Sequence, residues 1–276
     1  MSGDIDPLPP LGEVINQYDL WADKSLGQNF ILDLNVTRRI ARAADIDQNT
    51  HVIEIGPGPG GLTRALLMEG AGKVTVIETD KRFEKPLREI ADAYPNRLDI
   101  IFGDALKVSL SEITSRPYKI VSNLPYNLAT PLLINWLEQS PVKWESLTLM
   151  FQKEVGERII AGPGDKHYGR LGVLANWRAQ TQILFDVAPT VFVPPPKVTS
   201  AIVQLLPRTK PLVDVEIAKL ETVTQAAFGQ RRKMLRASLK QLCPDPSQWL
   251  EKAGIDGTCR AENLSIEEIC ALAKNL

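Results

Sequence analysis

Five consecutive residues, Ser122-Asn123-Leu124-Pro125-Tyr126, bring an amide, a rigid turn and an aromatic ring together directly after an apolar run at 119–121. Those types suit one chemical problem, the methylation of an amino group conjugated to a ring. The lone pair of such a nitrogen, as in N6 of adenine, is delocalised. Attack on an electrophilic methyl therefore needs acceptors that hold the amino hydrogens while the nitrogen becomes tetrahedral. The Asn123 side-chain oxygen and the Leu124 carbonyl supply acceptors, and Pro125 fixes the turn. Tyr126 offers a face for a base that has left its own stack. A sulfonium methyl donor carries its own activation, so neither a metal nor a strong general base is required, and rate comes from alignment of the in-line attack.

A donor site is legible upstream. Glu54-Ile55-Gly56-Pro57-Gly58-Pro59-Gly60-Gly61 lies between an apolar run at 52–55 and a helical pattern at 62–69. There, missing side chains let a ligand approach the backbone at the carboxyl end of a parallel sheet. Glu78, twenty residues past Gly58, ends the next run and sits where an acid accepts both hydroxyls of a ribose. Asp104 ends the following run and offers an acceptor to the amino group of an adenine. The chain has no Gly-Lys-Ser/Thr ending of a phosphate-binding loop. These features leave NAD open as a ligand, and it is the Asn123–Tyr126 run, about which hydride transfer explains nothing, that favours a methyl donor.

The elements that must position these residues alternate. Apolar runs at 52–55, 74–77, 100–102, 119–122 and 147–151 are separated by helical patterns at 62–69, 82–94, 131–138 and 154–160. This predicts a doubly wound α/β domain. Two further runs, 183–187 and 201–206, flank Phe192-Val193-Pro194-Pro195-Pro196-Lys197, a link too short for a helical crossover, so a seven-stranded sheet with one strand reversed is expected. The first twenty residues, with Pro7, Pro9, Pro10 and Gly12, read as an irregular arm. After Pro207 the pattern is helical, at 217–229, 231–243, 246–253 and 265–274, which places a boundary near Arg208–Pro211 between a catalytic domain, 1–208, and a helical domain, 209–276.

Composition bounds the partners. With 44% hydrophobic residues and a net charge of −1 the chain has the makeup of an ordinary soluble protein, and any nucleic-acid affinity must come from local clusters. Arg231, Arg232, Lys233, Arg236 and Lys240 fall within ten residues without an acid, and helical spacing would gather several on one side. Arg38, Arg39 and Arg42 form a smaller group. Cys243, Cys259 and Cys270 make no metal-ligand spacing with His51 and His167. The N-terminus has neither the basic start nor the apolar run of a secretory signal, which gives a cytoplasmic expectation and no membrane partner.

Along nearly its whole length the chain resembles the KsgA (RsmA) type of bacterial small-subunit ribosomal RNA adenine dimethyltransferase. The likeness is carried by Lys24-Ser25-Leu26-Gly27-Gln28-Asn29-Phe30, Glu54-Ile55-Gly56-Pro57-Gly58, Asn123-Leu124-Pro125-Tyr126, Phe192-Val193-Pro194-Pro195-Pro196-Lys197-Val198 and Phe228-Gly229-Gln230-Arg231-Arg232-Lys233. The resemblance implies a Rossmann-like class I methyltransferase fold with a small all-α C-terminal domain. It implies that Asn29, Ile31, Gly56, Glu78, Asp104 and Asn123 contact S-adenosylmethionine, with S-adenosylhomocysteine as product and no metal. Phe192 would be a second aromatic platform for the adenine, and Arg231, Arg232, Lys233 and Arg236 would bind RNA. The implied substrate is 16S rRNA in immature 30S subunits, acted on by a monomer. There, two adjacent adenosines of a hairpin loop near the 3′ end each receive two methyl groups late in assembly.

Rival readings are the same chemistry on large-subunit rRNA, as in the related Erm antibiotic-resistance enzymes, a DNA adenine methyltransferase, an NAD-dependent oxidoreductase, and an assembly factor whose methylation is secondary. The Gln230–Lys233 run and His167-Tyr168-Gly169-Arg170 look more like the small-subunit side.

Overall fold

The computed structural model describes residues 6–23 and 27–276, so Lys24, Ser25 and Leu26 of the N-terminal motif lie outside the described residues. The chain opens with α1 (Leu11–Tyr18), followed by β1 (Phe30–Ile31), α2 (Leu34–Ala43), β2 (His51–Ile55), α3 (Gly61–Met68) and β3 (Lys73–Glu78). It continues through α4 (Glu84–Ala93), β4 (Leu98–Phe102), α5 (Leu110–Ile113), β5 (Tyr118–Ser122), α6 (Tyr126–Glu138), β6 (Trp144–Gln152), α7 (Lys153–Ile160) and α8 (Arg170–Arg178). Then come β7 (Ala179–Val187), β8 (Phe192–Val193), β9 (Ser200–Pro207), α9 (Ile217–Phe228), α10 (Leu235–Ser238), α11 (Ser247–Lys252) and α12 (Ile266–Lys274).

Seven strands form one sheet in the order β4-β3-β2-β5-β6-β9-β7. The β4–β3, β3–β2, β2–β5 and β5–β6 pairs are parallel, and β9 runs antiparallel to β6 from Leu147↔Leu205 to Gln152↔Ser200. The central strands are near-continuous apolar runs because both faces are covered. The order reverses between β2 and β5, and it is outside the carboxyl ends of such strands that a doubly wound sheet leaves a crevice. The chain thus has the doubly wound sheet with a reversed strand expected from its alternation, and the Rossmann-like architecture that the resemblance implied.

Three expectations are corrected. Residues 11–18 are a helix rather than part of an irregular arm: Leu11, Val14 and Ile15 share one buried face, and that burial outweighs the prolines before it. A single boundary near residue 208 is replaced by three crossings, because two compact units comprise residues up to Lys153 with Ile183–Leu205, and Glu154–Gln182 with Leu206–Leu276. In the second unit the Trp177 indole donates to the Val213 carbonyl at 2.8 Å, the Leu212 N–H donates to the Trp177 carbonyl, and Tyr168 meets Phe228 edge to face. These contacts tie α8 to the segment that leads into α9, and the turn before α8 to the end of α9. The expected helix at 231–243 is a turn at residues 231–233 followed by the short α10, because the backbone donors of Leu235 and Arg236 bond to Cys259 and Gly257 rather than to helical partners. Among the described residues no helix is long and apolar enough to cross a membrane.

Candidate active site at the strand ends

The carboxyl ends of β2, β3, β4 and β5 converge on a cavity of about 580 Å³, within the range of pockets that take drug-sized ligands. Its wall includes Asn29, Ile31, Gly56, Glu78, Asp104, Asn123, Leu124, Pro125 and Tyr126, so nine sequence-predicted site residues share one crevice. The glycine turn between β2 and α3 makes this possible. Gly58 holds φ +55°, and a Cβ there would come within 3.1 Å of the Phe30 ring. A Cβ on Gly61 would lie 2.9 Å from the Ile31 carbonyl oxygen, a backbone atom that could not yield without shifting β1.

Glu78 is buried and held by three backbone donors: Gly58 N–H on Oε2 at 3.0 Å, and Thr79 and Asp80 N–H on Oε1 at 2.8 Å each. Burial pushes its carboxyl above the usual range, against the pull of those three bonds. With about four lone-pair sites on a carboxylate, three are taken and one remains, on Oε2. Glu78 therefore presents one acceptor to a hydroxyl as it stands, and a second hydroxyl would have to exchange with the Gly58 N–H. Asp104 sits at the turn after β4, where Oδ1 accepts the Leu106 N–H at 3.0 Å and Oδ2 lies 3.7 Å from the Lys107 ammonium.

Asn123 follows β5, and its Nδ2 donates to the Asn29 carbonyl at 3.2 Å. A carbonyl only accepts, so the nitrogen is the end turned to Asn29 and the oxygen is left to accept a substrate hydrogen. Pro125 caps α6, its carbonyl taking the Leu128 and Ala129 N–H groups, and Tyr126 starts the helix. The Tyr126 hydroxyl bonds Ser200 Oγ at 2.6 Å, which anchors a half-buried ring at the wall, and burial raises its phenol.

Phe192 departs from expectation. It pairs opposite Ile31 in the two-stranded β1–β8 ribbon, is 2% exposed and packs in the apolar cluster with Ile31 and Val121, so it does not line the crevice. The ribbon turns its ring inward. The Arg38–Arg39–Arg42 group is also committed elsewhere: Arg38 and Arg42 both bind the Glu69 carboxylate, and the Arg39 guanidinium lies 3.8 Å from the centroid of the Phe185 ring. In the second unit Arg232, Lys233 and Arg236 are exposed, while Arg231 bonds Glu262 at 3.3 Å and the Lys166 carbonyl.

Glu54 is a feature that sequence reasoning passed over as part of the glycine motif. It lines the crevice, is 1% exposed, and takes one hydrogen bond from Thr63 Oγ1 at 2.6 Å. Burial pushes its carboxyl from an ordinary 4.5 up to about 8, with Glu78 adding to the rise. The folded protein thus keeps a proton that the unfolded chain releases. Stability from Glu54 is full below pH 4.5 and is lost as pH climbs through about 8, with a slope of up to about 1.4 kcal/mol per unit. Glu78 acts in the same direction. Denaturant unfolding at pH 5, 6.5 and 8 will show falling stability, and Glu54→Gln will flatten the dependence. Parallel curves for the two proteins would refute the buried proton.

Comparison with known proteins gives the chain its relatives. The sequence pattern of the ribosomal RNA adenine dimethylase family matches residues 21–276. A protein of Rhizobium etli named ribosomal RNA small subunit methyltransferase A is 58% identical over 275 residues, covering 99% of each chain. One of the same name from a Chelativorans species is 57% identical over 276 residues, again covering 99% of each chain. Among solved structures, a dimethyladenosine transferase from Plasmodium falciparum superposes with a TM-score of 0.73 at 26% identity, covering 87% of this chain and 94% of that one. The 23S rRNA methyltransferase ErmE superposes with a TM-score of 0.68 at 28% identity, covering 90% and 99%.

Proposed function

Given that the chain belongs to the ribosomal RNA adenine dimethylase family, we propose that it dimethylates N6 of two adjacent adenosines in a hairpin loop near the 3′ end of 16S rRNA, late in 30S assembly. The observation that carries this reading is the Asn123–Tyr126 turn opening into the same crevice as Glu78 and Asp104. The restriction to the small subunit rests on the names of the relatives at 57–58% identity, since the fold is shared with a 23S rRNA enzyme. Immature 30S subunits place the activity in the bacterial cytoplasm, and we take the protein to act as a monomer.

The crevice fits S-adenosylmethionine by its donor set and size. Glu78 would take a ribose hydroxyl, Asp104 the adenine amino group, and Asn29, Ile31 and Gly56 would form the wall along the rest of the molecule. A ligand that carries positive charge would favour ionisation of the two buried carboxyl groups, Glu54 and Glu78, and so offset the cost of charging them. When bound, the cofactor supplies an activated methyl group. The chain's own residues do the rest: Asn123 Oδ1 and the Leu124 carbonyl hold the amino hydrogens of the target, Tyr126 stacks on its ring, and the wall of the crevice keeps the two reactants aligned. Phe192 would serve as a second platform only after β8 moves. Arg231, Arg232, Lys233 and Arg236 would contact rRNA phosphates, each adding salt-dependent affinity without base selection.

Titration with S-adenosylhomocysteine and with NAD separates the leading reading from an oxidoreductase: heat with the first and none with the second is expected, and the reverse would end it. Tyr126→Ala should lower the methylation rate of immature 30S subunits by a stacking loss of about 1–3 kcal/mol, with S-adenosylhomocysteine affinity little changed. An unchanged rate would remove Tyr126 from the base site.

A further inference from the structure

Adenine brings more to a binding site than an amino group and a ring face. Its Watson–Crick edge also carries N1, a lone-pair acceptor next to N6 that in guanine is replaced by an N–H donor. The Asn123–Tyr126 turn offers side-chain and carbonyl acceptors and a stacking face, so it answers N6 and the ring but leaves N1 without a side-chain donor.

Most of the side-chain donors that line the crevice are already committed. Gln28 Nε2 donates to Asp80 at 3.1 Å, Asn29 Nδ2 to the Gly27 carbonyl at 3.1 Å, and Asn123 Nδ2 to the Asn29 carbonyl at 3.2 Å. Thr37 and Thr79 donate to the carbonyls of Leu34 and Gly103, Arg82 chelates Asp80, and the Tyr126 hydroxyl is paired with Ser200. Lys81 follows directly on Glu78–Asp80, at the ribose end. At the other end one amide remains. Asn127, in the first turn of α6 and next to Tyr126, lines the crevice, is exposed, and has no hydrogen-bond partner among the described residues. It lies against Gly27, where a Cβ would stand 3.2 Å from its Oδ1.

We propose that Asn127 is a specificity-determining residue whose Nδ2 donates to N1 of the target adenine. The assignment rests on the reading of Asn123–Tyr126 given above. It has a consequence for two successive transfers to one nitrogen: N6 loses a hydrogen with each methyl group, whereas the N1 lone pair persists, so the Asn127 contact holds the base in both rounds while those of Asn123 and Leu124 change.

The test compares wild type, Asn127→Ala and Asn127→Asp on immature 30S subunits at saturating S-adenosylmethionine, alongside calorimetric titration with S-adenosylhomocysteine. The alanine variant should lose about 10- to 100-fold in kcat/KM, the cost of leaving a base acceptor unpaired, with cofactor-product affinity within about twofold of wild type. Asn127→Asp should lose more at pH 8, because a carboxylate has no hydrogen to donate. Its rate relative to wild type should climb as pH falls toward 5, by up to about tenfold per unit while the new carboxyl is mostly ionised. Wild-type rates in both variants would overturn the assignment, as would a flat pH ratio or a loss of S-adenosylhomocysteine affinity in step with the rate. A wild-type protein that labels no adenosine N6 would overturn the functional reading together with it.

Discussion

Asn123→Ala will slow methyl transfer to immature 30S subunits by about 10²- to 10³-fold at saturating cofactor, the loss seen when one preorganised polar group at a transition state is removed. The Asn123 side chain has two jobs, and they differ in size. Its nitrogen ties β5 to the Asn29 carbonyl at 3.2 Å, a neutral hydrogen bond with a net worth of about 0.5–1.5 kcal/mol, which accounts for at most about a tenfold effect. Its oxygen, on the proposed reading, would accept from the reacting amino group, and the remaining loss would belong there. Single-turnover rates beside S-adenosylhomocysteine titration separate the two, since the tie affects cofactor seating and the acceptor affects only the transfer. A single-turnover rate within tenfold of wild type would show that the oxygen takes no part in the chemistry.

The second large effect is on Glu78. Glu78→Ala leaves the Gly58, Thr79 and Asp80 N–H groups without their common acceptor. The Gly58 donor is buried and would cost about 1–3 kcal/mol if it stayed dry, whereas the part-buried Thr79 and Asp80 donors can turn to water, so about 1–3 kcal/mol of stability should be lost. Cofactor-product affinity should fall a further 10- to 100-fold, by about the value of a hydrogen bond to a charged group. Glu78→Gln keeps one oxygen and the side-chain volume, so it should recover part of both. Equal unfolding midpoints and equal affinities for Glu78→Ala and wild type would contradict the role drawn for this carboxylate.

What was legible in the sequence follows from what repeats locally. In a βαβ chain each strand end falls at a fixed place in the apolar alternation, so Gly56, Glu78, Asp104 and Asn123 could be assigned to one crevice before any coordinates were seen, and all four line it. Features set by distant partners were not legible. Two-residue strands such as β1 and β8 have no periodicity, and so the ribbon that buries Phe192 left no trace. Helix α8 carries Gly172 in a stretch without a clear polar face, and only the structure shows that a Cβ there would meet the Arg158 carbonyl at 2.8 Å. The basic triplet at 38–42 looked available because Glu69 is remote in sequence. Glu54 read as one letter of a glycine motif, and its proton is a consequence of burial that no spacing encodes.

The most direct measurement is to incubate the protein with methyl-labelled S-adenosylmethionine and, in parallel, 30S subunits lacking adenine methylation, 50S subunits and duplex DNA, then to identify the labelled nucleoside. Label in N6,N6-dimethyladenosine from 30S subunits alone is the predicted result. Label in 50S subunits or in DNA, or none in any of the three, would contradict it.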